Sequence, residues 1–502
     1  MPSECRIKRA DLENRIEPFI FDSLNLAEYA VRELPAVDLL TWNRFDLGFK
    51  LFYLEHKSVN RPLAIEYYRY DIRAQTLETY SEIGNSSKSS FDAYVDTFDV
   101  IDESMQNGGF NADLSIVPCS HEGVIINGSH RVAAAIYHGL TLSCVQLNMP
   151  TLTCDYVYFL NRDVPQDVVE TAALSFMQYD RHIYAAFLWP AGARKQKQIE
   201  GLFNNVVYKK KVSLTPNGVF NLLYELYKHM DWIGVESSRF LGLQQKASAC
   251  FPKLDDVTVI FFQSHCHGDV LALKKSIRDI NDIGFSSVHI TDTHEEVMNV
   301  ARLLLNPNGL HYLNHADPVK RLSGCRMVKA FREAVAEVGN DLRDYVLDSG
   351  TVLASYGFRK ATDIDYVTTS SEIGLNNKSI LGFELSNHDS ELVHHQLPLQ
   401  SLVYDSRSFF WVEGAKLLSF EQILGMKRRR NSSKDKIDVN LMEAYVGTSH
   451  RKACIARFRQ KVFFFIMIIR GRTLRGIAVV LQRLGLFDFV YNIYFRKSRK
   501  LD

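Results

Sequence analysis

The sequence predicts a protein of mixed α/β and α+β class with several domains, and three patterns carry that expectation. A strand, a Gly-containing turn, a small-residue helix and a second strand follow one another within 115–147. From Asp256 onward, short apolar runs alternate with amphipathic stretches of helical spacing. Further on, the small-residue turn Ser349-Gly350-Thr351 is followed by an acidic strand, Asp363-Ile364-Asp365. A chain of 502 residues with 46% hydrophobic and 23% charged residues has the composition of a globular protein and excludes a disordered one.

The leader, 11–80, reads as mostly helical, with apolar residues at helical spacing through 46–55 and 63–68. A polar loop follows at 81–90, then a second helix from Phe91. Val124-Ile125-Ile126 reads as a short strand, 127–131 as a turn, 132–137 as a helix closed by Gly139, and 143–147 as the returning strand. A strand that enters a Gly turn at a helix start presents backbone N–H groups to an anion, and Arg131 adds a bidentate fork. This stretch resembles the ParB and sulfiredoxin-like domain over about 40–150. The resemblance implies that Gly128, Ser129, His130 and Arg131 bind nucleotide phosphates within a domain spanning 1–150. The bland alternative is a helix start whose Arg131 serves a neighbouring carboxylate.

Residues 151–255 read as a helical connector, with Lys209-Lys210-Lys211 as a strand end and Thr215-Pro216-Asn217-Gly218 as a turn. The central α/β unit, 256–317, is expected to hold strands at 257–262, 287–290 and 310–313 in a parallel sheet, with helices at 269–280 and 293–305. Ligands of such sheets lie beyond the carboxyl ends of the strands, where this chain places Asp292, Thr293 and His294 among others. His265-Cys266-His267 offers zinc donors, but its spacing fits no familiar zinc motif, so a metal-free loop is the preferred reading.

The unit 318–450 opens with a helix, 320–338, that leads into the turn and the acidic strand. Alternate strand residues share a face, so Asp363 and Asp365 stand together while Ile364 enters the core. Adjacent carboxylates repel unless a cation neutralises them, and Mg²⁺ accepts one or two protein carboxylates plus substrate phosphates. The combination resembles the polymerase-beta-type nucleotidyltransferase family. That resemblance implies Ser349, Gly350 and Thr351 on the triphosphate, Asp363 and Asp365 on the metal, and a third carboxylate for which Asp389, Glu391 and Asp405 all qualify. The plain alternative is a solvated hairpin with two exposed aspartates. Residues 401–404 and 409–418 read as a hairpin, and Ser419 as the cap of a helix running through Lys427 and Arg430. That ending is also similar to the family, in which Lys427, Arg430, Lys434 and Asp435 would face phosphates and order the next helix.

The tail, 451–502, carries thirteen Lys or Arg and two Asp, a local charge of +11 in a chain of net +1. Aromatic and aliphatic residues interleave with the arginines, a pattern that suits an anionic membrane surface and, less well, single-stranded nucleic acid. The apolar run 462–469 is far shorter than the ~20 residues a membrane span needs, and no signal peptide is read at the start. Eight scattered cysteines without a CxxC pair suit a reducing compartment. The order of the units resembles multidomain proteins of bacterial surface-polysaccharide biosynthesis. The expected activity is therefore Mg²⁺-dependent transfer from an NTP, ATP or CTP, to a sugar or surface-glycan precursor, in the cytoplasm or at the inner face of the plasma membrane. Arg359 or Lys427 would meet the developing charge, and the Gly128–Arg131 turn would be a second nucleotide or phosphate site, with a kinase centre as one reading of it. The alternatives are a DNA-associated nucleotide switch and a toxin-like nucleotidyltransferase acting on RNA or protein.

Overall fold

The structure, a computed structural model, describes residues 5–81, 88–371, 375, 378–446 and 450–490. It is a mixed α/β protein with several small sheets, and the chain divides into two compact units. The first comprises Met1–Tyr184, Phe203–Lys209 and Ile260–His265; the second comprises Ala185–Leu202, Lys210–Val259 and Cys266–Asp502. The polar loop expected at 81–90 lies largely outside the described residues.

In the first unit, β1 (Cys5–Lys8), β2 (Glu28–Pro35), β3 (Val117–Cys119) and β4 (Thr141–Gln146) form a sheet of order β1-β2-β4-β3. The leader is thus not mostly helical before residue 46. Glu28–Pro35 is a strand because it is paired on both sides, antiparallel to β1 and to β4. Val124–Ile126 is not a strand either, and only Ile125 bridges, to Cys119. The strand beside β4 is Val117–Cys119, whose Pro118 is tolerated because β3 is an edge. The helices Asp46–His56, Arg61–Thr76, Phe91–Gly108 and Ser129–Tyr137 follow the expected pattern.

A second sheet has the order β6-β7-β5-β8, with β5 Ile183–Leu188, β6 Val206–Val212, β7 Val257–Gln263 and β8 Val288–Ile290. Two strands therefore lie inside the stretch read as a helical connector. The sheet is not all parallel, since β5 and β8 run antiparallel. Residues 310–313 belong to the helix Pro307–His315, and Thr215-Pro216 opens the helix Pro216–Tyr227. In both places a side-chain oxygen, of Asn306 or Thr215, accepts backbone N–H groups while proline fills the first helical turn.

The second unit holds a six-stranded sheet made of β9 (Tyr345–Leu347), β10 (Asp363–Thr368), β11 (Ser379–Ile380), β12 (Phe383–Asn387), β13 (Phe409–Val412) and β14 (Ala415–Leu418). Its order is β11-β12-β10-β9-β14-β13. Residues 401–404 lie in the helix Leu399–Tyr404, and the hairpin is contained within 409–418. Glu413 and Gly414 both have positive φ, 46° and 82°, as a two-residue turn that matches strand twist requires. The helix Leu322–Glu337 approaches the helix Ser349–Tyr356 closely at Gly324, where a Cβ would collide with the Ser355 backbone. The helix His450–Arg483 rests Gly471 against Ser248 and Gln244, and no helix among the described residues is long and apolar enough to cross a membrane.

Candidate functional site

The acidic strand is placed as its alternation requires. Ile364 is fully buried, and Asp363 and Asp365 occupy the other face of β10. Next to it, β9 runs into Asp348, whose N–H donates to the Asp365 carbonyl at 2.8 Å and ties the turn to the strand. Asp348 Oδ1 then accepts from Ser349 N at 2.6 Å and caps the helix Ser349–Tyr356. Gly350 stands where the carboxylates converge. A Cβ there would lie 3.6 Å from Asp365 Oδ2 and 3.7 Å from Asp363 Oδ1.

The polar groups around this point are unevenly satisfied. Gly350 N donates to Asp365 Oδ2 at 3.3 Å, so the N–H groups of Ser349 and Gly350 both face carboxylates in this structure. The hydroxyls of Ser349 and Thr351 are buried without a hydrogen-bond partner among the described residues, an arrangement that costs free energy until an acceptor or donor is supplied. His388 bridges the acids, with Nε2 3.0 Å from Asp365 Oδ1 and Nδ1 3.4 Å from Asp348 Oδ2. Burial alone would lower the pKa of His388, but hydrogen bonds and charge from the two aspartates outweigh it and push it up to about 10. The same contacts, with His395 3.8 Å away, overcome burial and hold Asp348 below the usual carboxylate range.

A second group of charges adjoins through Arg359. Its guanidinium grips Asp438 in a fork of 2.7 and 3.0 Å, and that bond raises its pKa, with the charges of Asp363 and Asp365 adding to the effect. Lys427, almost wholly buried, lies 3.0 Å from Asp438 and 3.3 Å from Asp435. Arg430 closes the set by binding Asp435 and Glu391. Of the residues singled out in this unit, Gly350 stands against Asp363 and Asp365 with Ser349 and Thr351 on either side of it in the chain, Arg359 feels the charge of both acids, and Lys427 is linked to Arg359 through Asp438.

Each of the three acids proposed as a third carboxylate is engaged away from this pair among the described residues. Glu391 binds Arg430, Asp405 binds Arg407, and Asp389 is held in its own turn by Asn387. The parallel register of β10 and β12 sets Glu384 beside Asp363 and Ser386 beside Asp365. Glu384-Leu385-Ser386 repeats the polar-apolar-polar alternation of Asp363-Ile364-Asp365, and Leu385 is buried like Ile364. That alternation was a signal for Glu384 in the sequence. Asp348 and His388 were the other residues missed.

Among the described residues, no group of three or more His, Cys, Asp or Glu is arranged to hold a metal ion, at His265-Cys266-His267 or elsewhere. Two carboxylates converging beside unpartnered hydroxyls nevertheless fit Mg²⁺, which draws its remaining ligands from water and substrate phosphate.

The turn in the first unit is more fully engaged. Gly128, at φ 91°, precedes the helix Ser129–Tyr137, and its N–H donates to Asn127 Oδ1 at 2.5 Å. Arg131 lies over Gly128, pairs with Glu17 at 2.8 Å and donates to Ser115 Oγ. His130 Nε2 is 2.7 Å from the Tyr68 hydroxyl, and burial pushes its pKa well below the ordinary value. Ser129 is buried. Comparisons with family models, with curated proteins and with solved structures find no match to this chain.

Proposed function

We propose that the chain is a Mg²⁺-dependent transferase that moves a nucleotidyl or phosphoryl group from an NTP, ATP or CTP, to a hydroxyl of a sugar or surface-glycan precursor. The observation that supports it best is the convergence of the Asp363 and Asp365 carboxylates on Gly350, beside the unpartnered hydroxyls of Ser349 and Thr351. Asp363 and Asp365 would hold Mg²⁺, which when bound neutralises phosphate charge and polarises the reacting phosphorus. The Ser349 and Thr351 hydroxyls would donate to phosphate oxygens, and the bare Cα of Gly350 would let those oxygens approach the backbone. Arg359, oriented by Asp438, would offset negative charge that builds on the transferred group, while Lys427 positions Asp438 and so Arg359. Such a reaction depends on positioning and electrostatics more than on covalent participation by the protein.

A second phosphate at Gly128–Arg131 would require Arg131 to leave Glu17 and Ser115, so the first unit has the weaker support. The exposed Phe458, Phe465, Ile466 and Ile469 of the last helix, set in a basic sequence, suit an anionic membrane surface and a location at the inner face of the plasma membrane. The test is incubation of the full chain with each labelled NTP, Mg²⁺ and a panel of sugars, wild type beside Asp363→Asn with Asp365→Asn. Label transfer that the double substitution leaves intact would refute the assignment. Transfer to RNA or protein instead of sugar would replace the acceptor and keep the site, and salt-dependent binding to random DNA without transfer would favour a DNA-associated protein.

A further inference from the structure

A cavity of about 470 Å³ opens elsewhere in the second unit, beside β8 and the helix His267–Asn281, and its lining combines aromatic faces with cations. Its size falls in the range of small-molecule sites. Tyr227, Trp232 and Phe285 supply the rings; Lys246, Lys274 and Arg278 supply three positive charges. Against these stands one lining carboxylate, Asp292, which is 2.5 Å from Lys274 Nζ and has a half-exposed side chain. The nearby Glu296 is already taken by His289 and by the Asp292 backbone N–H.

Two of the cations have no carboxylate partner among the described residues. Lys246 donates to the Phe285 carbonyl at 2.6 Å and is hydrogen-bonded to the Cys250 thiol, neither of them a carboxylate, and burial lowers its pKa. Arg278 Nε is buried with no hydrogen-bond partner among the described residues, and its guanidinium lies 4.7 Å from the centre of the Phe285 ring. An arginine whose Nε–H has no acceptor is poorly satisfied, and an oxyanion binding both Nε–H and an adjacent N–H would correct it. Phe285 is 74% exposed, so a planar ring entering beside the Arg278 guanidinium can reach it.

We propose that this cavity binds a phosphate monoester of a planar-ring compound, for which a nucleoside monophosphate is the simplest representative. The phosphate takes Arg278 and Lys246, with Lys274 adding charge, and the ring packs among Phe285, Trp232 and Tyr227. The site does not depend on the activity assigned to Asp363 and Asp365.

Calorimetry on the full chain with uridine monophosphate, uridine and inorganic phosphate tests it, with tryptophan fluorescence as a local readout. Uridine monophosphate should bind and quench fluorescence, the quench should vanish in Trp232→Phe, and Arg278→Gln should weaken binding by about tenfold or more. Phe285→Ala, at an exposed position that should not disturb folding, should weaken it several-fold, and Asp363→Asn with Asp365→Asn should leave it unchanged. No binding, or binding lost with the aspartates and indifferent to Arg278→Gln, would overturn the proposal. Inorganic phosphate binding as tightly as the nucleotide would overturn its planar-ring part.

Discussion

The turn at Ser349–Thr351 and the turn at Gly128–Arg131 share a plan, a strand running into small residues at a helix start, yet they differ in what their polar groups already hold. At the first, two hydroxyls have no partner among the described residues and two carboxylates face one glycine. At the second, the arginine is bound to Glu17 and Ser115 and the histidine to Tyr68. A helix start offers N–H groups in either case. What separates a ligand site from a structural joint is whether the surrounding side chains are satisfied by the protein itself.

The largest effect should come from the acids. Asp363→Asn with Asp365→Asn should reduce label transfer by about 10²-fold or more, and because Asp365 also holds His388 and the Gly350 N–H, thermal melting measured beside the kinetics separates lost chemistry from lost fold. Retained transfer would erase the distinction between the turns. Next, Gly350→Ala should raise KM for the nucleotide by about tenfold. Its Cβ meets Ala361 Cβ at 3.4 Å and the carboxylates at ordinary contact distance, so the fold should accept it, and thermal melting measured beside the kinetics checks that.

Arg131→Gln should leave transfer within about twofold and reduce stability by about 1 kcal/mol, the value of a partly exposed ion pair, as read from urea unfolding. A collapse of transfer would make the first unit a partner in catalysis. The smallest effect concerns pH. His130 has a lowered pKa in the folded chain, so below about 6.5 the unfolded chain binds more protons than the folded one, and stability falls as pH drops through that window. His130→Gln should flatten the slope of the urea midpoint between pH 6.5 and about 5. An unchanged slope would mean that the imidazole titrates freely and is not sequestered beside Tyr68.

The elements that carry the first turn were legible from local pattern. The period of two in Asp363-Ile364-Asp365 correctly put Ile364 in the core, and the spacing of apolar residues found the helices Asp46–His56 and Leu322–Glu337. Elements defined by their neighbours were harder to read. Glu28–Pro35 is a strand because β1 and β4 flank it, and Leu310–Leu313 is helical because Asn306 and Pro307 start the turn four residues earlier. His388 could not be placed from sequence, since it reaches Asp365 only through the pairing of β12 with β10. The engagement of Arg131 likewise depends on Glu17, more than a hundred residues away.

All eight residues of the helix Ser349–Tyr356 are buried. A loop that must order around a ligand loses conformational entropy at each binding event, about 1–2 kcal/mol for every residue fixed. Here that ordering is complete once the chain has folded. If the proposed transfer takes place there, the cradle would discriminate by shape, accepting groups small enough for the space above Gly350, and variation in acceptor would have to arise elsewhere, as at the less buried residues of β11 and β12.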